Sequence, residues 1–141
     1  MQRREFLGLA TASVSLPLVI TACSRKSTAR VASSPRADGF QTVGTLTDLD
    51  QHGSILATLV ADRAVLVIRN PDNPKMLMAV NPTCTHEGCT VGWQSDQNAF
   101  VCPCHNAKFS RQGSVLQGPA QQPLGTYAVR LEGNSILVKT A

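Results

Sequence analysis

The residues best equipped for chemistry fall within twenty-two consecutive positions, Cys84 to His105. Cys84-Thr85-His86 is followed, after fifteen intervening residues, by Cys102-Pro103-Cys104-His105, so the chain spells C-x-H and then C-x-x-H, with Cys89 in the first segment. Each segment offers a thiolate and an imidazole, and Cys89 and Cys104 are left over. Thiolate suits zinc and iron–sulfur clusters alike, and imidazole completes either set. Two readings are open: a Cys2His2 zinc site beside an unrelated disulfide, or an iron–sulfur cluster. Pairing all four cysteines into disulfides would leave His86 and His105 without a role. The third histidine, His52, lies in Asp50-Gln51-His52-Gly53 and is expected to be an exposed loop residue.

Two ligand loops need a framework. From Phe40 onward, short segments rich in Val, Ile and Leu alternate with turn signals, and no stretch keeps a 3.6-residue period for three turns. The expected strands are Phe40 to Leu46, Ile55 to Leu59, Val65 to Arg69, Met76 to Val80, Ala99 to Cys102, Ser114 to Leu116, Thr126 to Leu131 and Ile136 to Lys139. Asn70 to Pro74, Arg111-Gln112-Gly113 and Glu132-Gly133-Asn134 supply turns, the last closing a hairpin. This predicts an all-β domain over residues 40–141, a small antiparallel sandwich or barrel. Trp93, Phe100 and Phe109 are expected to pack rather than to relay electrons.

Charge excludes one class of partner. The net charge of +4 comes from the N-terminus: residues 1–38 carry six Lys/Arg against two acids, and residues 39–141 carry seven against seven. A neutral domain without a basic run cannot neutralise a phosphate backbone, so nucleic acid is set aside.

Cys84-Thr85-His86-Glu87-Gly88-Cys89 together with Cys102-Pro103-Cys104-His105 resembles the two cluster-binding loops of Rieske iron–sulfur proteins of the cytochrome bc type. The resemblance extends through Gly113 to Gly118-Pro119-Ala120, which is similar to the family's proline loop. It implies one 2Fe-2S cluster, with Cys84 and Cys102 on one iron, His86 and His105 on the other, and a Cys89–Cys104 disulfide joining the loops. It also implies a cluster-binding subdomain formed by the two loops. A core held by two thiolates and two neutral imidazoles is formally neutral when oxidised, so it accepts an electron more readily than a four-thiolate core. Imidazoles exposed at the tip would also couple proton loss to oxidation.

One departure from the family bears on function. In quinol-oxidising members the second loop continues Cys-His-Gly-Ser with a Tyr two residues later; the Ser hydroxyl donates to a bridging sulfide and the Tyr hydroxyl to a ligand cysteine. Here Asn106, Ala107, Lys108 and Phe109 follow His105, and neither Ala107 nor Phe109 can donate. A lowered midpoint potential is the expectation.

The first residues read as an address and a tether. Arg3-Arg4-Glu5-Phe6-Leu7 resembles a twin-arginine export signal, Phe6 to Ala22 is free of charge, and Ile20-Thr21-Ala22-Cys23 resembles a bacterial lipobox. Residues 1–22 are expected to be a lipoprotein signal and Cys23 a lipidated N-terminus. The alternative is a retained membrane helix, since seventeen uncharged residues approach the roughly twenty needed, although Pro17 and the Thr and Ser residues weaken it. Residues 24–39, rich in Ser, Ala and Arg, are expected to be a flexible linker with a reach of roughly 20–25 Å. The expected location is the outer, periplasmic face of the cytoplasmic membrane, where a disulfide can persist.

The expected function is a membrane-tethered one-electron carrier of the kind found among small bacterial Rieske proteins, including the minor cyanobacterial forms. Its donor and acceptor would be redox proteins, for example a cytochrome c or a copper protein. The alternatives are a subunit of a quinol-oxidising cytochrome bc complex and the small subunit of a molybdenum enzyme such as arsenite oxidase.

Overall fold

The stretch Ala64 to Asn70 contains an unbroken apolar run, the pattern of a strand covered on both faces. In the computed structural model, which describes residues 30–31, 34–59 and 62–140, this run organises the molecule. The elements in chain order are β1 (Arg30–Val31), β2 (Gln41–Thr45), α1 (Leu46–His52), β3 (Ser54–Thr58), β4 (Ala64–Asn70) and β5 (Asn73–Val80). They are followed by β6 (Gly92–Gln94), β7 (Ala99–Val101), β8 (Lys108–Phe109), β9 (Val115–Gln117), β10 (Thr126–Glu132) and β11 (Ser135–Lys139). A seven-stranded sheet has the order β1-β3-β4-β5-β10-β11-β2 and curls nearly into a barrel. A four-stranded sheet, β6-β7-β8-β9, is inserted between β5 and β10, which are neighbours in the large sheet.

Period-two alternation places successive β4 side chains on opposite faces. Val65 and Val67 join Val43, Leu49, Ile55, Ile136 and Val138 in the core of the large sheet. Leu66 and Ile68 point the other way, into a second core with Val80, Cys84, Phe100, Cys102 and Phe109. One strand therefore floors both the barrel and the cysteine-bearing subdomain. Trp93 and Phe100 meet edge-on at 5.0 Å and Phe109 is fully buried, so these rings pack.

The expected strand at Phe40 to Leu46 stops at Thr45, where a helix begins. Thr45 accepts from the Asp48 N–H through its hydroxyl, and the Asp48 carboxylate accepts from the Thr45 N–H, a reciprocal cap. Gly53 closes α1 at φ +76, and its N–H donates to the Leu49 carbonyl. His52 thus sits on the last turn of a helix rather than in a loop, exposed, with Nδ1 2.8 Å from the Asp48 carbonyl oxygen. The helix is seven residues long, too short to show a repeated period. Strands β6 and β8 were not expected either; at three and two residues they exist through their pairing with β7.

The end of the expected linker lies against the domain. Arg36 reaches Glu132 at 2.5 Å, Arg130 reaches Asp38 at 2.6 Å, and the Arg130 guanidinium stacks 3.9 Å over the Phe40 ring. The Phe40 N–H, followed by Arg130, holds the Asp38 carboxyl below its ordinary range. Arg30–Val31 pairs parallel with Ala57–Thr58. Composition marks this stretch as linker because it lacks apolar periodicity; Arg36 and Asp38 are nonetheless held by opposite charges on β10. The expected signal over residues 1–22, Cys23 and the linker residues 24–29 and 32–33 lie outside the described residues. Among the described residues no helix is long and apolar enough to cross a membrane.

Candidate metal centre

Each of the two cysteine loops is closed by its own backbone. In the first, the Cys84 N–H donates to the Cys89 carbonyl (2.7 Å) and the Gly88 N–H to the Cys84 carbonyl (2.9 Å). In the second, the Cys102 N–H donates to the Ala107 carbonyl (2.8 Å) and the Asn106 N–H to the Cys102 carbonyl (3.0 Å). The fifth residue of each loop is left-handed, Gly88 at φ +78 and Asn106 at φ +57, types that tolerate this conformation. Loops 84–89 and 102–107 are thus one conformation used twice. A bridge between Thr83 and Thr90 closes the base of the first.

In both loops the leading cysteine points inward. Cys84 and Cys102 are 2% and 1% exposed and unoxidised, side by side in the second core. Burial pushes the Cys84 thiol above its ordinary value; the His86 N–H opposes this and the adjoining Cys102 thiol adds to it. Cys89 and Cys104 are joined, with an S–S distance of 1.94 Å across fifteen residues. His86 and His105 are exposed and meet edge-on, their centroids 4.8 Å apart. Glu87 lies beside them, its carboxylate 3.6 Å from His105 Nδ1. The pattern is layered: buried thiols below, imidazoles at the surface, a disulfide fastening the two loops.

The third wall is the segment 118–120. Gly118 and Pro119, joined by a cis peptide, are exposed, while Ala120 is buried with Cys84 and Cys102. The Thr85 hydroxyl donates to the Gln122 carbonyl at 2.6 Å, and the Gln117 side-chain amide donates to the Asn106 carbonyl at 3.0 Å. Both loops are therefore tied to this wall. Gly113 packs behind it at φ +88; a Cβ there would stand 2.8 Å from the Leu124 carbonyl oxygen, so only glycine fits. Ala107 and Phe109, both fully buried, belong to the same core as the two thiols.

The model of the Rieske [2Fe-2S] domain matches residues 39–128, well over half of the chain. The chain belongs to the Rieske family. It is 35% identical over 100 residues to the cytochrome b6-f complex iron-sulfur subunit of Chlorobaculum thiosulfatiphilum, covering 71% of this chain and 53% of that one. The corresponding subunit of Parasynechococcus marenigrum is 35% identical over 85 residues, 60% of this chain and 47% of its own. The chain spans about half the length of these curated relatives. The cyanobacterial plasma membrane Rieske protein PetC3 from Synechocystis PCC 6803 superposes with a TM-score of 0.65 at 46% identity, covering 70% of this chain and 98% of that one. The ferredoxin of carbazole 1,9a-dioxygenase from Nocardioides aromaticivorans, at 24% identity and a TM-score of 0.60, shares the fold.

This Rieske domain is an electron carrier with one 2Fe-2S cluster. The residues present fit that group. Burial and the adjoining Cys102 thiol disfavour ionisation of Cys84, and a bound ferric iron would favour its thiolate form. The exposed imidazoles offer ring nitrogens on the solvent side. Sequence reading missed three supports: Glu87 beside His105, the Asn106 left-handed turn, and the ties from Thr85 and Gln117. Asn106 carried a signal, since Asn tolerates the left-handed region; the ties carried none, because their partners are carbonyls distant in sequence.

Proposed function

We propose that this Rieske domain is a membrane-tethered one-electron carrier of lowered midpoint potential, moving electrons between redox proteins at the outer face of the cytoplasmic membrane. Cys84 and Cys102 hold one iron of the cluster and His86 and His105 the other. When bound, the cluster takes up and releases a single electron. The observation that carries the reading is the apolar wall around the two thiols. Ala107 and Phe109 fill positions from which hydroxyls would favour the electron-rich reduced state, and both are fully buried. The core around the cysteines offers no side-chain hydroxyl at either place. The exposed imidazoles give a partner direct access to the ligands.

Twin-arginine-like residues at the start of the chain, followed by the lipobox-like Ile20 to Cys23, support export and lipid anchoring at Cys23. A single acyl chain binds membranes only marginally, so two or three are required. Protein-film voltammetry, with fractionation of membranes from cells making Cys23→Ala protein, tests the proposal. It expects a midpoint well below the top of the Rieske range of about −150 to +300 mV and release of the variant with its cluster intact. A midpoint near the top of that range, or a variant still in the membrane fraction with Met1 retained, overturns it. The second reading, a subunit of a quinol-oxidising complex, is favoured by the relatives named as cytochrome b6-f subunits.

A further inference from the structure

The three segments that surround the imidazoles, 84–89, 102–106 and 117–123, contain one side chain of formal charge, Glu87, and no Val, Leu, Ile, Met or aromatic ring. The rest is Thr, Pro, Gly, Ala, Cys, His and amide. Glu87 is well exposed, its side chain at 58%, and its neighbour at 3.6 Å is His105. Asp38, Asp50, Asp72 and Glu132 behave differently: each meets an arginine of the framework. The loop conformation places Glu87 at the fourth position of the first loop, where the second has His105. One loop thus presents an imidazole and the other a carboxylate at equivalent points of the same tip. The domain around them is neutral, seven Lys/Arg against seven acids over residues 39–141, so no larger net charge hides this one.

We propose that Glu87 is a specificity-determining residue that selects a cationic partner surface at the His86/His105 tip and disfavours anionic and wholly apolar ones. The inference rests on the reading of the tip as the point of electron exchange. Charge at an interface acts mainly on encounter rate and on partner choice. A carboxylate 3.6 Å from the His105 ring turns an approaching cation toward the tip. Few aliphatic anchors and much amide suit a brief, weak encounter rather than a lasting complex.

The test uses the full-length, cluster-loaded protein, reduced and then mixed by stopped flow with tris(phenanthroline)cobalt(III), a trication, or with ferricyanide, a trianion. In each reaction one electron leaves the cluster, which becomes diferric, and Co(III) becomes Co(II) or the ferricyanide becomes ferrocyanide. No bond forms or breaks at the protein. Midpoint potentials of all variants are measured in parallel so that driving force is corrected. At about 0.01 M salt, where the Debye length is roughly 30 Å, the ratio of cation to anion rates is expected to fall about fivefold or more in Glu87→Gln and further in Glu87→Lys. At about 1 M salt the variants should converge. Asp96→Asn, in the turn between β6 and β7 at the other end of the subdomain, should keep the wild-type ratio.

A second readout is independent of rate. Carbodiimide cross-linking of the holoprotein to a strongly basic, lysine-rich c-type cytochrome should join Glu87 to a lysine, identified by peptide mass spectrometry. Ratios unchanged in both Glu87 variants, or cross-links confined to other carboxylates, overturn the role of Glu87 while leaving the carrier reading intact. Failure of either oxidant to draw an electron from the reduced protein overturns both. Wild-type protein that oxidises a short-chain quinol faster than it exchanges with either ion also overturns the proposal, since an apolar partner would then be preferred.

Discussion

Loops 84–89 and 102–107 are superimposable in hydrogen bonding and differ in what they carry. The first positions are the same: a buried cysteine whose N–H closes the loop on the carbonyl of its sixth residue. Beyond that the sequences part. Histidine stands third in the first loop and fourth in the second; the disulfide cysteine stands sixth in the first and third in the second. A repeated backbone therefore makes equivalent thiol sites below, while unequal side chains build one asymmetric tip above. The spacing difference between C-x-H and C-x-x-H is therefore not a difference in the hydrogen bonding that closes each loop. It is a choice of which position on a common loop bears the imidazole, and the third position of the second loop is the one bonded to the sixth of the first.

The largest effect should come from breaking the equivalence of the first positions. Cys84→Ser and Cys102→Ser are each expected to abolish the 2Fe-2S cluster, seen as loss of visible absorption and acid-labile sulfide. A variant that retains the cluster would show that the two thiols do not serve alike. Next is the asymmetric link. Cys89→Ser or Cys104→Ser should leave the proposed ligands in place but shorten cluster lifetime under a chelator, since a bridge across fifteen residues is worth about 3 kcal/mol in the chain-entropy account. Equal lifetimes in mutant and wild type would remove the disulfide from any role in holding the loops.

The sixth position of the second loop is Ala107, where the first loop has its disulfide cysteine, and Phe109 follows it in β8. Ala107→Ser and Phe109→Tyr are expected to raise the midpoint by on the order of 40–90 mV each. This takes roughly 1–2 kcal/mol of extra stabilisation of the reduced state per hydroxyl, at about 59 mV per 1.4 kcal/mol. Voltammetry of the double variant with no rise would mean that hydroxyls do not separate this domain from high-potential relatives. The smallest effect concerns the left-handed fifth positions. A Cβ on Gly88 meets nothing within 4 Å, so Gly88→Ala should cost only the conformational strain, about 1 kcal/mol in thermal melts. Asn106→Gly should change stability by a few tenths of that; a loss well above 1 kcal/mol would point to a side-chain role for Asn106.

Much of the site was legible because it is local. Cys84 to Cys89 and Cys102 to His105 lie on two short segments, and the types alone limited the chemistry to zinc or iron–sulfur before the family resemblance narrowed it. Longer strands were legible too, since β4, β10 and β11 carry enough alternating or continuous apolar character to exceed turn signals. The short elements were not. Thr45-Leu46-Thr47-Asp48 did contain a capping pair, but it sits inside a stretch whose branched residues favour a strand, and a seven-residue helix cannot outvote them by period.

By itself the amino-acid sequence determined the element class, the neutrality of residues 39–141 and the inventory of thiols and imidazoles, because composition and short-range spacing decide those. Tertiary structure alone decided three further things. It set Leu66 and Ile68 beneath the cysteines while Val65 and Val67 faced the barrel core, since a strand's two faces are assigned only when something packs on each. It laid Arg36 and Asp38 on β10, more than ninety residues away in the chain, where opposite charge rather than apolar pattern holds them. And it brought Glu87 to His105 through two loops of the same conformation, a contact invisible in the spacing because it depends on how the two backbones face each other, not on the distance between residues along the chain.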